Sequence, residues 1–391
     1  MQTQKKKLEF PNVPVKFAGR FPEGHVNSVK GWNFSQKELT EAAKDGRMLT
    51  MDLDMYGEFS CSAKCRHCFE EDLFDERAMQ GGLLNDNEVK RVIVEAKSLG
   101  LRSVKIIGPG EPLENKSLLD CLDFLVGQGI QPLIFTKCTA IGDDSIAKKV
   151  HGLGPESLAR KLREEYGVSI NLGSNSFDPE TQSNIVRLEG YPAIRNRAIE
   201  RLVDAGFTEF VPGQPTQLAL IFNPITRGNA GEIFEVYTWA RMRHIYVISS
   251  PTMVAGRCRR EYRGMTPDEG DLLDLYVKIN LWAIEHGITT LGELEQEGIA
   301  SYAGARPCQQ VGAGLFIKRN GLALRCPGDD VSIQGRVREK SLAEIWRESE
   351  NLNRYGGMIN VGCPPKLGKS IPEGFFEKVL DGIRERLRGR T

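Results

Sequence analysis

Cys61, Cys65 and Cys68 stand in one short stretch, Cys61-Ser62-Ala63-Lys64-Cys65-Arg66-His67-Cys68-Phe69, directly after a strand-like run from Met48 to Tyr56. A Cys-x3-Cys-x2-Cys loop can wrap three thiolates around one face of a [4Fe–4S] cube and leave the fourth iron without a protein ligand. An iron left open in this way is where chemistry can happen. A second set of thiols, Cys308, Cys326 and Cys363, lies far downstream around a hairpin signal, Asn320-Gly321. Such a set can ligate iron–sulfur, hold a small zinc site or simply be buried thiols. Cys121, midway along an apolar helical run, reads as a packed hydrophobe, and Cys138 as filler behind a strand.

The chain's nine cysteines are an odd number, grouped as a triplet and singles rather than as a disulfide framework. In a reducing compartment such clusters are metal ligands more often than bridges. The 52 basic and 52 acidic residues cancel, so nothing draws the whole molecule to nucleic acid or an anionic membrane. The basic ends, Lys5 to Lys7 and Arg384 to Arg390, read as solvated termini. No apolar stretch approaches the ~20 residues of a membrane span, and Met1 to Lys5 lacks the apolar core of a signal peptide. The expectation is a cytoplasmic protein with no membrane span, acting on a small molecule or a peptide.

These residues need a frame. Residues 1–47 read as an N-terminal extension with one short helix, Ser35 to Asp45, opened by a Ser35/Glu38 capping box. No winged-helix peptide-recognition pattern is evident there. Residues 48–290 alternate β-rich runs with helices. Strands are expected at Met48 to Tyr56, Val104 to Ile107, Pro132 to Phe135, Val168 to Leu172, Leu218 to Phe222 and Ile245 to Ile248. A long sixth helix is expected to open at Thr266 with a capping box and Pro267 at its first position. Six β/α units imply a parallel sheet with right-handed crossovers. Six rather than eight gives an incompletely closed TIM-like (β/α)6 barrel, whose site lies at the carboxyl ends of the strands. Asp52, Asp54 and Tyr56 share one face of the first strand by alternation. Residues 300–391 form a small hairpin-and-helix appendage with a C-terminal helix.

The Cys61 loop resembles the signature of the radical S-adenosylmethionine (radical SAM) superfamily. The resemblance implies that the amino and carboxylate groups of S-adenosylmethionine chelate the open iron. It also implies that one electron from the cluster, supplied by a reductant such as flavodoxin or ferredoxin, yields a 5′-deoxyadenosyl radical that takes hydrogen from substrate. Further segments are similar to the family's. His67 and Phe69 stand where adenine contacts are expected. Gly108-Pro109-Gly110-Glu111-Pro112 resembles the Gly-Gly-Glu-Pro segment that meets the amino group, with Pro109 as a local variation. Ser174 and Asn175, followed by Arg187, resemble the stretch that holds ribose and carboxylate. Here Asn175 stands where many members have aspartate, and one extra residue precedes the arginine.

Cys308, Gly321 and Cys326, with the Leu315 to Leu324 hairpin and the Lys340 to Trp346 helix, resemble the SPASM and Twitch auxiliary-cluster domains. Three cysteines suit the shorter Twitch form with one auxiliary [4Fe–4S] cluster. Its fourth iron is then open near Lys366 or closed by Cys258 from the barrel side. The resemblance implies an oxidoreductase performing a dehydrogenation or cross-link. Three alternatives remain: a redox-neutral cyclase or lyase with substrate on an open auxiliary cluster, a peptide-maturing enzyme, or a non-enzymatic zinc protein.

Overall fold

Short runs rich in Val, Ile and Leu alternate with amphipathic segments, and in the computed structural model each run is a buried strand and most segments are helices. Residues 7–55, 61–69, 82–108 and 110–389 are described; Tyr56 and Pro109 lie outside them. In chain order come α1 (Gln36–Lys44), β1 (Thr50–Asp54), α2 (Asp86–Ser98), β2 (Ser103–Gly108), α3 (Leu118–Gly127) and β3 (Gln131–Thr136). Three helices, α4 (Thr139–Gly142), α5 (Asp144–His151) and α6 (Pro155–Glu164), lead to β4 (Ser169–Gly173). Next are α7 (Pro179–Val186), α8 (Tyr191–Asp204), β5 (Leu218–Ile225), α9 (Ala230–Arg241) and β6 (Tyr246–Pro251). Four helices follow, α10 (Cys258–Met265), α11 (Glu269–Glu285), α12 (Leu291–Glu297) and α13 (Gln310–Ala313). The chain ends with β7 (Gly314–Ile317), β8 (Leu322–Leu324), β9 (Ile333–Arg336), α14 (Leu342–Glu348), α15 (Glu350–Tyr355) and α16 (Phe375–Arg388).

The nine strands make one sheet in the order β6-β5-β4-β3-β2-β1-β7-β8-β9. β1 to β6 are mutually parallel, and β1 and β6 do not pair, so the barrel is open, as six β/α units require. β7 then lies parallel against β1, with Thr50 opposite Gly314 and Leu53 opposite Ile317. β8 and β9 extend the sheet as an antiparallel hairpin pair. The C-terminal strands therefore continue the barrel's own sheet.

The helices bury their apolar faces on the outside of the sheet. Inside, the N-terminal extension closes the lower end: Val29 and Trp32 pack with Leu133, Ala219, Ile221 and Tyr246 in a separate apolar cluster. Ser35 and Glu38 form the expected reciprocal cap of α1. The box at Thr266 does not form. The Thr266 hydroxyl donates to the Tyr262 carbonyl at 2.7 Å, closing α10, and α11 starts after Asp268 with Pro267 outside it. No described helix is long and apolar enough to cross a membrane.

Candidate functional site

The Cys61 loop leaves the carboxyl end of β1 and is pinned from three directions. The Ser62 amide and hydroxyl donate to Glu114 at 3.0 and 2.6 Å. The amides of Lys64 and Arg66 donate to the Val186 and Ile185 carbonyls, both at 3.0 Å, at the end of α7. On the third side the Arg257 amide donates to the Cys68 carbonyl at 3.0 Å, and its guanidinium to the Cys65 carbonyl at 3.2 Å. Gly256 makes that approach possible: its φ is +53°, and a Cβ there would lie 2.5 Å from the Cys68 oxygen.

Cys61, Cys65 and Cys68 face a cavity of about 260 Å³ in the barrel, and Cys308, Cys326 and Cys363 line the same cavity. The two sequence groups, 240 residues apart from Cys68 to Cys308, are thus brought around one space. No disulfide joins any of the nine cysteines. Burial raises the Cys308, Cys326 and Cys363 thiols above their ordinary range. A thiolate at these positions would need a bound cation beside it, and the same burial raises the core thiol of Cys138. Among the described residues no three His, Cys, Asp or Glu side chains converge as ligands of a single ion. A zinc ion draws its thiolates to within about 4 Å of one another; a four-iron cube holds each on a different iron and tolerates a wider ring.

His67 and Phe69 both line the cavity. The His67 Nδ1 is buried with no hydrogen-bond partner among the described residues, and burial, reinforced by Lys137, pushes its pKa down to about 3, so the ring is neutral. Phe69 packs with Ile107, Phe316 and Leu324. Gly108 ends β2, its carbonyl accepting from Met55 at 2.6 Å, while Gly110 (φ +80°) and Glu111 line the cavity. Pro112 opens a buried 3₁₀ turn, Pro112–Glu114. Glu111 accepts from the amides of Lys137 at 2.6 Å and Leu113 at 3.1 Å and from the Thr136 hydroxyl.

Ser174 and Asn175 are buried behind the wall. The Ser174 hydroxyl accepts from Arg195 at 3.3 Å, and the Asn175 amide donates to Gln182 at 2.8 Å. Arg187 caps α7, is exposed and is not among the lining residues. The cation on that wall is Lys137, which sequence reasoning missed; its Nζ donates to the Gly173 carbonyl at 3.1 Å and to Asn175 Oδ1 at 3.3 Å. A lone lysine after a strand carries no spacing signal.

On the opposite side, Lys366 is 2% exposed and donates to Ser250 Oγ at 2.7 Å and Asn223 Oδ1 at 3.3 Å. Burial lowers its pKa and the surrounding cysteines oppose that shift. Cys258 opens α10 with its Sγ 3.9 Å from the Arg66 carbonyl, against the Cys61 loop, and does not line the cavity. Asp52 lines it and Asp54 accepts from the Arg319 amide at 2.9 Å in the β7–β8 turn. Cys121 and Cys138 are fully buried in the core.

No family model matches the sequence, and no curated protein is significantly similar to it. Among solved structures, the fold is similar to SuiB of Streptococcus suis. The SuiB crystal with the precursor peptide SuiA gives a TM-score of 0.53 at 16% identity, over 79% of this chain and 68% of SuiB. The SuiB crystal described without it gives 0.51. Hexahistidine-tagged anSMEcpe with bound AdoMet gives a TM-score of 0.58 at 12% identity, over 88% of this chain and 94% of that one. Identities this low speak to architecture alone. The chain has the partial-barrel fold shared by radical SAM enzymes.

Proposed function

We propose that this chain is a radical SAM enzyme that acts on a substrate held between two iron–sulfur clusters. The observation that carries this is the facing of Cys61, Cys65 and Cys68, on the strand-end loop, toward the same cavity as Cys308, Cys326 and Cys363. When bound, the first cluster and S-adenosylmethionine supply one-electron chemistry, and a second cluster gives the electron of a substrate oxidation somewhere to go.

The chain's own residues divide the remaining work. The neutral His67, with its unpartnered Nδ1, suits an uncharged heterocycle such as adenine. Gly110 offers backbone to the amino group. Lys137, rather than the exposed Arg187, is placed to meet a carboxylate. Glu111 ties the loop after β2, which carries Gly110, to the end of β3, where Lys137 stands. Lys366 stands among the downstream cysteines as an amine already committed to Ser250 and Asn223, which suits a neighbour of the auxiliary cluster better than a ligand to it.

The test is anaerobic reconstitution with an iron and sulfide count. About eight irons per chain are expected, falling to about four in C308A/C326A/C363A. A wild-type count near four removes the auxiliary cluster, and one zinc per chain with no iron removes the reading altogether. A peptide substrate is the second reading, favoured by the shared architecture with SuiB, which was crystallised with its precursor peptide.

A further inference from the structure

The floor of the barrel carries polar atoms for which the fold supplies no partner. Asn171 sits on β4, in register with Phe135 on β3 and Ala219 on β5. It is fully buried and lines the cavity, yet neither its amide oxygen nor its amide nitrogen has a hydrogen-bond partner among the described residues. The indole N–H of Trp32, which lines the same cavity, also lacks a hydrogen-bond partner among the described residues. Buried donors and acceptors left unpaired are costly and rare in a folded chain. Three such atoms on two residues around one cavity point to a group that arrives from outside.

The chemistry of that group follows from what the floor offers. Asp52 lies 3.5 Å from Lys105 Nζ, so the two charges compensate and no ion is demanded. Lys105 is further occupied by Thr50 at 2.9 Å and Gln310 at 2.6 Å, and lies 5.2 Å from the centre of the Trp32 ring. Phe135 and Tyr302 have ring centres 5.8 and 6.3 Å from that of Trp32, giving the floor flat apolar walls. Ala219, beside Asn171, takes little room. The site is therefore neutral and aromatic-walled, with a donor and an acceptor side by side on Asn171.

We propose that this floor binds the planar carboxamide or lactam edge of the substrate, with Asn171 reading it through a paired donor and acceptor, as asparagine reads such an edge on a base. The proposal rests on the cavity being the reaction site and names the substrate class for it. A carboxylate has no donor and would leave the Asn171 oxygen unpaired. A hydrocarbon would leave all three atoms unpaired.

Ligand-observed NMR on the full chain with its clusters reconstituted, without S-adenosylmethionine or reductant, tests this with benzamide and 2-pyridone against the near-isosteres benzoate and acetophenone. The amide probes are expected to bind about tenfold more tightly than the other two. N171L is expected to erase that preference without lowering the thermal midpoint, because the amide it removes has no partner among the described residues. Equal affinity for all four probes, or no detectable binding of the amides at millimolar concentration, overturns the proposal. So does an N171L chain that keeps the preference. Should N171L not fold, the ranking on the wild-type chain still decides. Amide preference without 5′-deoxyadenosine release in a separate turnover assay would sink the cofactor reading alone, and the reverse would sink this one alone.

Discussion

Glu111 ties two backbone segments together, since its oxygens accept from the 3₁₀ turn at Leu113 and, at the end of β3, from the Thr136 hydroxyl and the Lys137 amide. Burial raises its pKa to about 7, against hydrogen bonds that favour the charged form. The folded chain then binds a proton that the unfolded chain has already lost between about 4.5 and about 7, so stability falls as pH rises through that window. Histidines that burial holds neutral, His67 among them, pull the total profile the other way, so the readout is the difference in thermal midpoint between metal-free wild type and E111Q, which is expected to shift against wild type from pH 5 to 7.5. A difference that is flat or moves in favour of wild type over this range would contradict the assignment. The neighbouring Lys137 yields a second expectation. K137M should weaken S-adenosylmethionine binding by about tenfold or more, the scale of one charge-assisted hydrogen bond. R187M should cost less, and equilibrium dialysis giving the opposite order would return the carboxylate to Arg187. At this scale the two cysteine groups were legible from their spacing, and the fold brings both to one cavity. Lys137 and Asn171 were not, because their facing depends on how β3 and β4 register.

The join between β1 and β7 decides whether the downstream cysteines reach the barrel. Gly314 begins β7 in extended conformation opposite Thr50, and a Cβ there would lie 1.8 Å from the Thr50 carbonyl oxygen. Even G314A must push the strands apart, a loss of about 1–3 kcal/mol or more by the measure of overpacked cores. A lowered thermal midpoint and faster proteolysis between 300 and 391 are the expected readouts, and a neutral G314A would mean the strands are not joined as described. Ser341 and Glu344 cap α14 reciprocally, so S341A should cost about 1 kcal/mol in denaturant unfolding. The six parallel strands and the Asn320-Gly321 hairpin could be read from runs of apolar residues and turn chemistry. The parallel pairing of β7 with β1 could not, since no local pattern encodes a partner more than 260 residues away. The expected box at Thr266 failed for a local reason: the hydroxyl is taken by the end of the preceding helix.

At the scale of the molecule, the chain behaves as one sheet wrapped around one cavity, with α16 packed against α11 on the outside. Removing residues 300–391 would strip β7 from β1 and expose an unpaired edge. The truncated chain is expected to be insoluble or protease-sensitive rather than an independent barrel, and a soluble, cooperatively unfolding fragment of 1–299 would show the opposite. The N-terminal extension has a matching role below, where Trp32 forms part of the cavity floor. The central claim is that the Cys61, Cys65 and Cys68 thiolates leave one iron open to S-adenosylmethionine. The direct measurement is 5′-deoxyadenosine released by the reconstituted, dithionite-reduced protein under anaerobic conditions. Release by the wild-type chain, abolished in C65A, is the expected result; a fully iron-loaded wild-type preparation that leaves S-adenosylmethionine intact would contradict the claim.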